Sequence, residues 1–92
     1  MHKEKIPLPP KPLPERDDRP SEEQGMFRKY LVQRADGKDK AITDKHFNCE
    51  YYVLDITHDP AARPALKAYA DAIEETHPYL ARDIRVKYLG AD

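Results

Sequence analysis

Tryptophan is absent from this 92-residue sequence, cysteine occurs once and glycine three times. A single cysteine excludes an intramolecular disulfide, so a fold must be held by its core, a partner or a metal. Gly25, Gly37 and Gly90 are too few and too dispersed for a P-loop or a dinucleotide fingerprint. No run approaches the ~18 apolar residues of a membrane span. The first residues have no apolar h-region, which predicts no secretory signal. Charge of one sign is missing too: 16 basic and 17 acidic side chains leave a formal net charge of −1. That balance argues against a polybasic nucleic-acid binder, whose affinity comes from neutralising phosphates, and against a strongly acidic DNA mimic. These absences predict a soluble cytoplasmic protein in a reducing compartment, with no membrane partner.

What the chain does have is proline, and it is placed unevenly. Six of the nine prolines lie in the first twenty residues, whereas all six tyrosines and both phenylalanines lie beyond residue 24. Residues 1–24 bury too little to offset their ordering entropy, and polyproline II is their natural local conformation. Pro7-Leu8-Pro9-Pro10 and Pro9-Pro10-Lys11-Pro12 satisfy P-x-x-P, but the flanking cation of a docking peptide is missing. The stretch therefore reads as a disordered, Pro-rich, charged arm, and residues 25–92 as the compact body.

In the body, Met26–Arg34 and Glu50–Ile56 are rich in aromatic and β-branched residues and predict strands, with a turn at Ala35-Asp36-Gly37-Lys38. Tyr52, Leu54 and Ile56 share the face expected to point inward. A short stretch at 41–43 would supply a third strand. Asp59-Pro60 reads as a helix start. Leu66, Tyr69 and Ile73, with small alanines around them, predict a helix over 62–75 that lies close against a sheet. Leu80, Ile84 and Tyr88 predict a second helix over 78–89, stopped by Gly90. The expected fold class is α+β: a small antiparallel two- or three-stranded sheet packed against two C-terminal helices. About 68 residues supply a core of only a few kcal/mol, so a homodimer or a partner surface would relieve a marginal fold.

His46-x-x-Cys49 followed by His58-Asp59 is the densest chemically capable group. Zinc would need a second Cys/His pair, and His58-Asp59 also serves as a helix start. A Cys49 nucleophile with His46 as its base lacks a glycine-rich oxyanion loop. The residues therefore predict no enzyme, no metal and no cofactor. A small metal- or thiol-dependent enzyme using His46, Cys49, His58 and Asp59 stands as the alternative. Arg34, Lys38, Lys40 and Lys45 interleave with Asp36, Asp39 and Asp44, a pattern of a salt-bridged loop that also suits a polar interface. Arg34, Asp36, Lys38, Lys40 and Lys45 are the candidate partner-binding residues.

Arg34-Ala35-Asp36-Gly37, Lys45-His46, Cys49-Glu50-Tyr51-Tyr52-Val53-Leu54-Asp55 and His58-Asp59-Pro60 with Ala65 to Tyr69 resemble a family of short proteins encoded in proteobacterial genomes and their phages. The similarity covers roughly residues 27–89, and the Pro-rich arm lies outside it. The resemblance implies small size, a cytoplasmic location and a mobile-element context, and it carries over no catalytic residues. In that context small non-enzymatic proteins occupy surfaces of larger machines. Phage-encoded inhibitors of host defence, anti-CRISPR proteins among them, are analogous in size and in lacking catalytic motifs. The expected function is therefore an inhibitor that covers a surface of a host protein or ribonucleoprotein complex, with contact to bound RNA or DNA backbone.

Overall fold

A computed structural model describes residues 13–91. The P-x-x-P stretch and the first half of the Pro-rich arm, residues 1–12, lie outside them. The chain divides into two units between Tyr52 and Val53.

In the first unit, regular structure among the described residues is a single 3-10 turn, Ser21–Glu23. Around it the chain folds back on itself. The Arg28 N–H donates to the Pro14 carbonyl at 2.9 Å, and the Arg28 guanidinium pairs with Glu15. Asp17 is the hub of this loop, accepting from the Arg19 guanidinium and from the Gln24 side-chain amide. Arg16 and Lys29 lie over the Phe27 ring, with the cationic groups 5.9 and 5.0 Å from its centroid.

The second unit is a helical hairpin. Helix α1 is Ala62–Ile73 and α2 is Pro78–Tyr88, close to the spans the apolar spacing predicts. Asp55 turns the chain into α1, accepting the Thr57 and His58 N–H groups on one side-chain oxygen. The Asp59 side chain then accepts the Ala61 N–H. Pro64 falls in the first turn of α1, where a missing N–H costs no helical hydrogen bond. Pro78 opens α2 in the same way. Gly90, at φ 78°, returns the Ala91 N–H to the Arg85 carbonyl and closes α2.

The core sits between the helices. Ala70, Ala81 and Ile84 are buried, and Leu66, Ile73, Tyr88 and Leu89 pack against them. The alanines bring helix against helix, not helix against a sheet. Tyr69 and Leu80, expected at the buried seam, are exposed, because Ala70 and Ala81 take the positions of closest approach. Arg85 ties the pair on one side, donating to Asp71 at 2.8 Å and to Glu74 at 3.0 Å. Arg63 ties the other end through the Tyr88 carbonyl.

The expected α+β class is not what forms. Among the described residues there are two α-helices and no β-strand, so no two- or three-stranded sheet exists. The reason lies in the connection between the two aromatic runs. Residues 34–49 satisfy their backbone locally, through the turns Asp44 N–H to Ala41, Phe47 N–H to Asp44 and Cys49 N–H to His46. Asn48 adopts φ 63°, within the left-handed region. Such a chain of tight turns does not fold into the hairpin that would set Met26–Arg34 beside Glu50–Ile56. The 41–43 stretch is itself turn, not a third strand. A high β-propensity reports fit to a pleated, half-buried surface, and none is supplied: Leu31 is 91% and Tyr52 77% exposed. Tyr52 therefore points to solvent, while Leu54 and Ile56 are half-buried.

Candidate functional site

The loop of residues 34–46 is built by its own aspartates. Asp36 forks onto the Arg34 guanidinium at 2.9 and 2.6 Å and accepts the Lys38 N–H at 3.0 Å. Gly37, at φ 74°, supplies the left-handed step this turn requires. One Asp39 oxygen accepts the Arg34 N–H, closing the loop base at 3.0 Å, while the other is shielded from solvent and meets no donor among the described residues. Asp44 accepts the N–H groups of both Lys40 and Ala41. Asp36 makes an Asx-type turn onto the N–H two residues ahead, while Asp39 and Asp44 reach back to earlier N–H groups; in each case a short carboxylate stands in for a backbone acceptor.

The electrostatic consequence is a sorting of charge. All three carboxylates are turned onto the loop's own backbone or onto Arg34. Among the described residues, Lys38, Lys40 and Lys45 have no carboxylate partner and are exposed. The Arg34 guanidinium, first, and then the Lys38 N–H hold the Asp36 carboxyl far below the usual carboxylate range. Asp36 in turn raises the Arg34 guanidinium above its ordinary value. The five candidate partner-binding residues thus fall into two groups. Arg34 and Asp36 form the bidentate pair that shapes the loop, and Lys38, Lys40 and Lys45 project from it. The interleaving seen in the sequence is one ion pair and a set of turn caps, rather than a ladder of salt bridges.

His46 and Cys49 do come together, with Cys49 Sγ 3.5 Å from His46 Nδ1 and the thiol exposed. Asn48 makes this possible, since Asn enters the left-handed region more readily than branched residues do. His58 is paired elsewhere: its Nδ1 lies 3.0 Å from Asp55, which draws the Asp55 carboxyl below its ordinary value. Asp59 serves the start of α1. Among the described residues, no three His, Cys, Asp or Glu side chains are grouped to hold a metal ion. Sequence reasoning missed the role of Asp55, which reads as a strand residue but acts as the cap of the turn into α1. The spacing Asp55-x-x-His58, three residues along a turn, was the available signal.

No helix among the described residues is long and apolar enough to cross a membrane. No protein-family model matches this chain, and neither a curated protein nor a solved structure is detectably similar to it.

Proposed function

We propose that this chain is a non-enzymatic, phage-type binding protein of the host cytoplasm. It acts by occupying a surface of a larger host protein or ribonucleoprotein complex, as an anti-CRISPR-like inhibitor does. The observation that carries this reading is the sorted charge of the 34–46 loop. Aspartates fixed on backbone N–H groups hold the loop in shape, and Lys38, Lys40 and Lys45 are left for an outside anion. A pre-shaped loop loses little conformational freedom on binding. Its lysines suit an acidic protein face or the phosphate backbone of RNA or DNA held by the complex, with charge setting on-rate and register. The exposed apolar side chains of Met26, Leu31, Ile42 and Tyr52 add surface that a partner can cover.

The test is affinity capture from host-cell lysate with wild type and K38E/K40E/K45E, which leaves the Arg34–Asp36 pair in place. Wild type should retain a defined complex that added salt releases, because exposed charges are screened over about 8 Å at physiological ionic strength. The triple variant should lose it. Equal recovery of the same complex by both proteins would overturn the reading.

A second reading rests on the His46–Cys49 contact. A thiol beside an imidazole nitrogen is the minimal arrangement for an activated nucleophile, and an activity abolished by Cys49→Ser would favour it.

A further inference from the structure

We propose that the outer face of α2 pairs with the same face of a second copy of this chain, antiparallel and about a two-fold axis. The face opposite the core seam of α2 carries Tyr79, Arg82, Asp83 and Val86, at the helical spacing i, i+3, i+4, i+7. Tyr79 is 76% and Val86 47% exposed, and Arg82 and Asp83 are both exposed beside each other at 3.5 Å. The order of chemistry along this face is apolar, cation, anion, apolar. Turned end over end about the midpoint between Arg82 and Asp83, it complements itself. Tyr79 then faces Val86 of the second copy, and Arg82 faces Asp83 of the second copy, each contact occurring twice.

The surface relief agrees with this register. Arg82, Asp83, Val86 and Lys87 line an open, shallow depression, and antiparallel pairing seats the tyrosine ring of the second copy there. Arg82 already lies over the Tyr79 ring, 5.9 Å from its centroid, so this aromatic face accepts cations. A parallel pairing in register would set Arg82 on Arg82 and Asp83 on Asp83, which like-charge repulsion disfavours. The contact is isologous, so it closes at two copies and does not propagate. Helix α2 is about 16 Å long at 1.5 Å per residue, so one such face buries less than the area of a stable interface and gives a weak, concentration-dependent dimer.

Sedimentation of the full chain over a dilution series tests the pairing. Wild type should move from monomer to dimer as concentration rises into the millimolar range. R82D and D83R should each remain monomeric, because each sets like charges opposite one another. An equimolar mixture of the two single variants should form a heterodimer, because both facing pairs become opposite in sign, and R82D/D83R should dimerise again. Far-ultraviolet circular dichroism checks that α2 persists in every variant. A wild type that stays monomeric at all concentrations overturns the proposal. So does a wild type that dimerises while the mixed variants do not, since a different surface would then hold the copies together.

Discussion

At the scale of single residues, aspartate does most of the shaping. Asp17, Asp36, Asp39, Asp44, Asp55 and Asp59 each accept a backbone N–H or a neighbouring side-chain donor. An ionised carboxylate is a stronger acceptor than a carbonyl, and at Asp17, Asp36 and Asp55 these bonds favour the charged form. The Arg19 guanidinium, its N–H and the Gln24 amide lower Asp17 from an ordinary 3.8 to about 2. Asp36 is lowered too, by Arg34 above all, and Asp71 by Arg85 and then Lys67. A carboxyl whose folded pKa lies below its unfolded value stabilises the fold above the ordinary aspartate range. That contribution is lost as pH falls through the folded value. The Arg34–Asp36 pair should therefore persist through the pH range where free aspartate protonates, and be lost only below it. Carboxyl-carbon NMR titration checks this. The Asp36 resonance should move at lower pH than a free aspartate, and added salt should shift it back toward the ordinary value. An Asp36 midpoint at the ordinary value would contradict the loop geometry. These caps were only partly legible in the sequence. Asp36-Gly37 signalled its turn and Asp59-Pro60 its helix start, because both act on immediate neighbours. Asp39 was hidden, because it reaches back across the loop to Arg34.

At the scale of elements, the helices were legible and the strands were not, for one physical reason. A helix satisfies its backbone within itself, so Leu66, Ile73, Ile84 and Tyr88 at helical spacing, with Pro78 and Gly90 at the ends, fix its place from local sequence. A strand needs a partner elsewhere in the chain. Met26–Arg34 and Glu50–Ile56 have strand composition, but the turns of residues 34–49 do not bring them into a ladder. The buried seam was misread more subtly. Spacing alone favoured Tyr69 and Leu80, while close helix approach selected Ala70 and Ala81. The hairpin core is small enough for one side chain to decide its stability. Ile84→Ala removes the largest buried side chain of the seam and should cost about 2–5 kcal/mol, enough to melt both helices. Ala81→Leu should cost about 1–3 kcal/mol by overpacking the closest approach. In dilute solution Val86→Ala, on the exposed face, should change stability by less than about 0.5 kcal/mol. Thermal unfolding followed by circular dichroism ranks the three. A silent Ile84→Ala would show that the helices are not held by this seam.

At the scale of the whole molecule, the proposed binding surface and the buried core draw on different residues. The second unit holds the buried seam, and the first holds the lysine loop and the most exposed apolar side chains, Leu31 and Tyr52. Under the proposed function the protein works by occupancy rather than turnover. The most direct measurement is a titration of the captured complex's activity against added chain, with and without chelator and with Cys49→Ser in parallel. Occupancy predicts inhibition that saturates near an equimolar ratio and is the same under all three conditions. Inhibition at far lower ratios, abolished by chelator or by Cys49→Ser, would contradict the account and transfer the function to the His46–Cys49 contact.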